Sequence, residues 1–359
     1  MNLLLEPWIP VTRADGTVEW IAPWQLTDEL SGNPITALAY SRADLTGSIV
    51  QFLIGLLQTT APNCEDQVDW DDLYQTPPDS SALRGWLEPW TSAFELNGTG
   101  GPRFMQDTAP EVQEAALQNI SSLLIDAPGG NTLRHNIDHF VKRGGVNRLS
   151  PPLAAAALYT LQTNAPSGGQ GHRTSLRGGG PLTTLVVRDP RQAGNTRSPS
   201  PLWHNLWLNV LDWERFTRHY PCPRPTAPSA DVFPWLAATR TSNPKAGGVN
   251  TTPVDVHPVQ AYWAMPRRLL LDFDNTEPGE CDLSDVEDAQ CLTRYRAVNF
   301  GVNDMKARGN IHYRRVPHRR EDEPPSSLKP KQFRDYAGLL YGERQPGIHC
   351  FRTCNSRPG

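Results

Sequence analysis

Apolar and polar positions along the 359-residue chain follow the spacings of short strands and helices. Residues 2–27 predict two strands around a turn at 14–16. A strongly apolar run over 45–60 predicts a buried helix that Pro62 ends, and residues 80–94 predict an amphipathic helix. The first quarter of the chain is therefore expected to mix both kinds of element.

The rest of the chain alternates regular segments with long irregular connections. We expect helices over 153–161 and 201–219, and strands over 182–187 and 267–273. Residues 294–316 are compatible with two more strands, whereas 221–260 are proline-rich and irregular. No internal repeat occurs. The pattern predicts an α+β fold that is rich in loops.

Residues 167–181 carry six glycines among fifteen positions. Fixing glycine costs more backbone entropy than fixing any other residue, so such a loop is typical of backbone that approaches a ligand closely. His172, Arg173 and Arg177 lie between the two glycine clusters and favour an anionic partner such as a nucleic acid. A flexible surface connection is the alternative.

Familiar nucleotide and catalytic motifs are absent from the sequence. The glycine loop lacks the GxGxxG spacing, and no Gly-Lys-Ser/Thr follows it. No GxSxG or HExxH motif occurs. His172 lies near Ser175, but such a pair is more typical of a hydrogen-bonded loop than of a hydrolase. The residues therefore do not support nucleophilic catalysis.

Charge is segregated along a chain whose net charge is −4. Eight Lys or Arg residues face one acid over 294–320, and four face one acid over 129–148. Acids concentrate at 65–72 and 282–288 instead. The basic stretches are candidate nucleic-acid contacts that would bind by shape and phosphate. A solvated surface is the alternative for each of them.

Composition adds two limits. The 34 prolines and a mean hydropathy of −0.50 indicate short regular elements. With no signal sequence and no apolar run of about 18 residues, a cytoplasmic protein is expected.

Cys281 and Ser284 resemble half of a zinc knuckle that has lost a cysteine, with Cys291 further on. A free thiol is the alternative there, and we expect neither metal nor cofactor.

Four segments together resemble the CasA family, the large subunit of the type I-E CRISPR surveillance complex Cascade. Residues 2–11 read NLLLEPWIPV, and 89–106 contain PW and PRFMQ. Residues 165–185 contain the glycine loop followed by LRGGGPLTT, and 257–268 read HPVQAYWAMPRR. The resemblance spans most of residues 1–342.

The resemblance implies a non-catalytic subunit that docks on the crRNA-bearing complex and binds target double-stranded DNA. It would sense the protospacer-adjacent motif from the minor groove and help to recruit a helicase-nuclease. The implied DNA-binding residues are Gly168, Gly169, Gln170, Gly171, His172, Arg173, Arg177, Lys306 and Arg308, where Lys306 stands for a minor-groove lysine expected within 295–308. The implied crRNA and subunit docking residues are Asn131, Arg134, His139, Phe140, Lys142 and Arg143.

The resemblance fades after residue 342. Residues 343–359 are expected to be a divergent, disordered tail, and the four-helix bundle and wedge hairpin typical of the family's C-terminal part are not recognisable. We therefore expect one N-terminal domain of the Cascade large subunit over 1–342. The alternative function is a truncated scaffold that docks on the crRNA complex without sensing DNA.

Overall fold

The computed structural model describes most of the chain in several segments. The described residues are 1–98, 100–128, 132, 134–135, 144–164, 169–175, 182–188, 200–218, 221–252, 255–303 and 348–354. Within them helices and small sheets are mixed, which confirms the α+β expectation.

The N-terminal segment forms a three-stranded antiparallel sheet. Strands β1 (Ile9–Arg13) and β2 (Val18–Ile21) pair around a turn in which Gly16 has a φ of +90°. Strand β3 (Ile35–Leu38), which the hydropathy pattern did not reveal, pairs with the other edge of β1. The predicted hairpin is confirmed.

Two buried helices form the centre of the core. Helix α1 (Ala43–Thr60) and helix α5 (Pro151–Asn164) extend the predicted 45–60 and 153–161 by a few residues at their ends, and they contact each other. Phe52 of α1 is fully buried and its ring lies edge-on to five other aromatic rings, those of Trp8, Phe94, Phe104, Tyr159 and Trp263. Most residues of both helices are buried because the core surrounds them, and a few of these buried side chains are polar, among them Gln58 and Gln162.

The remaining helices are short. Helix α2 (Gln67–Gln75) is capped by Asp66, whose carboxylate accepts two backbone amides, and the hydropathy pattern did not predict it. Helix α3 (Ser80–Leu87) passes into a 3-10 helix (Glu88–Ala93) because Pro89 cannot continue the α-helical hydrogen bonds. Helix α4 is Pro110–Gln113.

The prediction of a single helix over 201–219 is wrong. The structure has helix α6 (Leu202–Trp207) and helix α7 (Trp213–Thr217) instead. Between them the Asn209 amide bonds the backbone N–H and C=O of Val186, and Asp212 caps α7. These side chains stop the first helix and start the second.

Among the residues that the structure describes, the other strands form three small antiparallel sheets. Strands β4 (Leu117–Asn119), β6 (Arg268–Leu271) and β9 (Arg294–Val298) lie in the order β4-β9-β6. Strands β7 (Glu277–Glu280) and β8 (Glu287–Cys291) form a hairpin. Strand β5 (Leu182–Arg188) pairs with β10 (Ile348–Cys354), which lies in the segment expected to be a disordered tail. The domain boundary at 342 stays a prediction.

Buried side chains supply hydrogen bonds that these short elements lack. The Gln162 amide donates to the Arg267 carbonyl at 2.8 Å and accepts the Arg267 amide at 3.1 Å. Gln106 joins Leu96 to Leu271 in the same way. Indole N–H groups donate to backbone carbonyls from Trp8, Trp24, Trp70, Trp203, Trp207, Trp213 and Trp235. Loop backbone can therefore be buried at low cost.

Among the described residues, no helix combines the length and the apolar character needed to cross a membrane.

Candidate nucleic-acid interface

The structure describes part of the predicted site. Gly169, Gln170, Gly171, His172 and Arg173 lie in the described stretch 169–175, and Arg134 is exposed. The other predicted contacts lie outside the described residues: Gly168, Arg177, Lys306, Arg308, Asn131, His139, Phe140, Lys142 and Arg143.

The described part of the glycine loop is a tight turn. Gly169 and Gly171 have φ angles of +99° and +80°, in the left-handed region that favours glycine. The His172 amide donates to the Gly169 carbonyl at 3.2 Å. A Cβ atom on Gly171 would lie 2.8 Å from the Asn299 Cβ, so this position has no room for a side chain.

Residues 299–301, which follow β9, support the loop. The Phe300 amide donates to the Gly171 carbonyl at 2.9 Å, and the Asn299 side chain donates to the Gln170 carbonyl at 3.1 Å. Phe300 itself has a φ of +66°. Two successive carbonyls of the glycine loop are thus fixed by one segment from a distant part of the sequence.

Arg173 anchors the turn from its other end. Its Nε donates to the Ser242 hydroxyl at 2.9 Å, and its Nη2 donates to the Ser242 carbonyl at 3.3 Å. The guanidinium also lies 5.7 Å from the centre of the Phe300 ring, within cation–π range. The side chain that was predicted as a DNA contact therefore also holds the loop in place.

These contacts leave one face of the turn open. Gly169, Gln170 and His172 are exposed, whereas Gly171 is buried. Partial loss of hydration and the positive charge of Arg267 lower the pKa of His172 below its ordinary value. At neutral pH the imidazole is uncharged, so it offers this face hydrogen bonds without a positive charge.

His172 and Ser175, the two residues of the hydrolase alternative, differ in burial. Ser175 is buried, with 5% of its surface exposed, whereas His172 is exposed.

The thiols of the half zinc knuckle and of Cys291 are both buried. Cys281 and Cys291 are fully buried, and the Cys291 thiol lies 3.3 Å from the Gly279 carbonyl, to which it donates. Burial raises the pKa of Cys291 to about 11, so the thiol is protonated at neutral pH. Across the described part of the chain, no three His, Cys, Asp or Glu residues are grouped as metal ligands would be.

The predicted docking segment is fixed at both ends. Before it, Arg42 donates to the Asp126 carboxylate at 3.0 Å. After it, the Asp282 carboxylate accepts the amides of Asn147 and Arg148, at 2.5 and 2.9 Å. Leu149 then forms an antiparallel bridge with Leu292. The predicted docking residues lie between these two anchors in sequence.

The sequence pattern did not indicate Ser242, and it placed Asn299 and Phe300 only within the basic stretch 294–320, not at the glycine loop. Residues 221–260 were interpreted only as irregular, although 239–252 contain glycine, asparagine and hydroxyl side chains typical of a defined turn. Nothing in the local pattern indicates that this turn and residue 300 meet the glycine loop.

Two kinds of comparison place this chain among known proteins. The family model "CRISPR-associated protein Cse1" matches residues 2–355. The structure is similar to that of Thermobifida fusca Cse1, with a TM-score of 0.58, 18% identity, and coverage of 86% of this chain and 52% of that chain. For Cse1 from Acidimicrobium ferrooxidans the values are 0.55, 16%, 92% and 56%.

A third match is a chain of a structure described as a CRISPR RNA-guided surveillance complex, with a TM-score of 0.53, 13% identity, and coverage of 86% and 57%. This chain thus spans about half the length of the structures that it matches. Identities this low show a common fold, whereas the family match covers nearly every residue. The chain belongs to the Cse1 family, also called CasA, of CRISPR-associated proteins.

Proposed function

We propose that this chain is a subunit of a CRISPR RNA-guided surveillance complex and that its glycine loop contacts target double-stranded DNA. The observation that carries the proposal is the turn at 169–175, which is fixed by Phe300 and Ser242 while Gly169, Gln170 and His172 stay exposed. A preformed turn loses little conformational entropy on binding, so its contacts contribute more fully to affinity.

The chemistry of this face suits a minor groove. Residues 169–175 contain no acid, and their exposed groups are backbone, an amide and a neutral imidazole. The minor groove presents mainly acceptors, with one additional donor at G·C pairs, so hydrogen-bonding groups without bulk can distinguish the two classes of pair. This is the basis on which we assign sensing of the protospacer-adjacent motif to Gly169, Gln170 and His172.

Docking on the crRNA complex is assigned to the segment between Asp126 and Asn147. Anchors on both sides hold its ends. The sequence between them carries Arg134, Lys142 and Arg143, which are the candidates for phosphate contacts. Recruitment of a helicase-nuclease is proposed from the family resemblance alone. In this function the chain is a non-catalytic, cytoplasmic protein.

The test adds this chain to a crRNA complex that lacks its large subunit. Affinity is then measured for duplexes with a correct or a scrambled adjacent motif. If the loops neutralise about five phosphates, the slope of log affinity against log salt is expected to be about −4 to −5. A preference for the correct motif is expected with the wild-type chain.

A matched pair of variants assigns the preference to the loop. Gln170→Ala removes an exposed amide from the turn, and Gln290→Ala removes an exposed amide from the acidic β7–β8 hairpin. Only the first is expected to reduce motif preference. Incorporation without any preference would support the scaffold alternative, and the absence of both incorporation and DNA binding would reject the proposed function.

A further inference from the structure

A second loop contacts residues 299–303, the segment that also holds the glycine loop. Residues 239–252, called here the lysine turn, carry Lys245 near their middle. Lys245 is exposed and forms no ion pair with a residue that the structure describes. Neither the glycine loop nor the docking segment includes this turn.

Its backbone is closed on itself. The Gly248 amide donates to the Asn243 carbonyl at 2.8 Å, and the Val249 amide donates to the Thr241 carbonyl at 2.9 Å. The Asn243 side chain accepts the Lys245 amide at 3.1 Å. A Cβ atom on Gly248 would lie 2.3 Å from the Asn243 nitrogen, which shows how tightly the turn is packed. Lys245 therefore projects from a defined support.

The lysine turn and the glycine loop share one residue. Phe300 donates its amide to Gly171 of the glycine loop and accepts the Ser242 amide of the lysine turn at 3.1 Å. The Ser242 hydroxyl also donates to the Gly301 carbonyl at 2.7 Å while accepting from Arg173. Further along, the Thr251 amide donates to the Asn303 carbonyl at 3.0 Å. The two turns are therefore held on the same short segment.

This surface is positively charged in a chain that is negative overall. Arg173, Arg240 and Lys245 lie on the two turns, and residues 169–175, 239–252 and 299–303 contain no acid. The nearby Asp255 carboxylate accepts the Thr252 backbone amide, and its other oxygen lies 3.7 Å from the Arg240 guanidinium. Lys245 is three residues from Ser242, so their Cα atoms are at most about 11 Å apart. The lysine turn therefore lies next to the anchor of the glycine loop, which is the basis for expecting one phosphate chain to contact both turns.

We propose that Lys245 contacts the phosphate backbone of duplex DNA and that the lysine turn is a second, sequence-independent part of the DNA interface. This inference rests on the proposed function of the glycine loop. The two turns have different roles. The exposed groups of 169–172 discriminate base pairs, while Lys245 adds affinity that is the same for every sequence.

The test compares Lys245→Ala with Arg218→Ala in this chain, after each variant is added to a crRNA complex from which the large subunit is missing. Arg218 is exposed and follows helix α7, in which the Glu214 amide donates to the Glu65 carbonyl of the acidic stretch 65–72. Arg218→Ala removes one positive charge, as Lys245→Ala does. Lys245→Ala is expected to reduce the salt slope by about 1 and to weaken correct and scrambled duplexes equally. Arg218→Ala is expected to leave the slope unchanged.

A chemical measurement distinguishes the two proposals. Acetylation of the Lys245 amine, followed by mass spectrometry, is expected to decrease when duplex DNA is added and to be unaffected by single-stranded crRNA alone. If the wild-type chain prefers the correct motif but Lys245 stays fully reactive and the slope of Lys245→Ala is unchanged, the lysine turn is not a DNA contact. Protection by crRNA alone would overturn the assignment to DNA. If the wild-type chain binds no DNA, both proposals fail.

Discussion

The Phe300 amide donates a hydrogen bond to the Gly171 carbonyl at 2.9 Å, although the two residues are far apart in the sequence. The Phe300 ring lies against the position where a Gly171 side chain would be, at 3.1 Å from an ideal Cβ. The backbone and the ring of Phe300 therefore act together. The hydrogen bond fixes the position of the Gly171 carbonyl, and the ring leaves no room for a side chain at residue 171.

Gly171→Ala is expected to displace the glycine loop. A left-handed conformation costs alanine about 1–2 kcal/mol, and overlap with Asn299 and Phe300 adds to that cost. DNA affinity should fall by about 5- to 30-fold. Titration of a labelled duplex measures the affinity, and faster exchange of the Phe300 amide reports the displacement directly. Unchanged affinity and exchange would show that the loop position does not depend on this glycine.

Gly85→Ala is the control for that substitution. Gly85 lies in α3, where an added Cβ would have no heavy atom within 4 Å. Alanine is favoured over glycine in a helix by about 1 kcal/mol, so this variant should be slightly more stable and bind DNA normally.

Gln162→Leu is expected to destabilise the whole fold. The substitution leaves the Arg267 amide and the carbonyls of Arg267 and Met105 without the bonds that the Gln162 amide provides. Each buried group left unsatisfied costs about 1–3 kcal/mol. Urea unfolding should show a clearly lower midpoint. Gln113→Ala removes an exposed glutamine as a control, and equal midpoints for the two variants would contradict this account.

Arg268→Ala is expected to lower the free energy of unfolding by about 3–5 kcal/mol. Arg268 is buried and donates to Asp107 at 2.5 Å and to Glu111 at 2.7 Å. Its removal leaves the Asp107 carboxylate buried without its cation. Glu111 is exposed, so Glu111→Ala should cost less than about 1 kcal/mol. Similar losses for both variants would show that burial of Asp107 is not the cause.

Stability is expected to fall as the pH drops below about 6.5, in part because of His257. Burial lowers the pKa of this imidazole, against smaller opposing effects of the Pro223 carbonyl and Asp231. Its Nδ1 accepts the Val259 amide at 3.2 Å, and its Nε2 donates to the Pro223 carbonyl at 3.1 Å. Protonation of Nδ1 would break the first bond. Because the folded state binds fewer protons than the unfolded one, the stability present above the unfolded pKa is lost as the pH falls through the folded pKa.

Urea unfolding at several pH values measures this loss. His257→Asn retains an oxygen that can accept the Val259 amide but does not titrate, so its pH dependence should be weaker than that of the wild type. His172, whose pKa is also lowered, keeps its own contribution in both proteins. Identical pH profiles would assign the whole effect to other groups.

Local sequence determined the elements whose pattern is unambiguous. The hairpin β1–β2, helix α1, helix α5 and strand β6 were predicted because each has a strong periodicity and residues that end it. The glycine-rich composition of 167–181 identified the candidate loop, and the motifs that include Gln106 and Arg268 identified the family. These signals are contained within a few adjacent residues.

Only the tertiary structure decided what supports that loop. Arg173 and Ser242 are 69 residues apart, and Phe300 joins their two turns through its own amide and carbonyl. The long helix expected over 201–219 also failed for this reason, because the Asn209 side chain bonds Val186 of another element. Such hydrogen bonds depend on which distant backbone groups the folded core brings together, and no periodicity in the sequence records them.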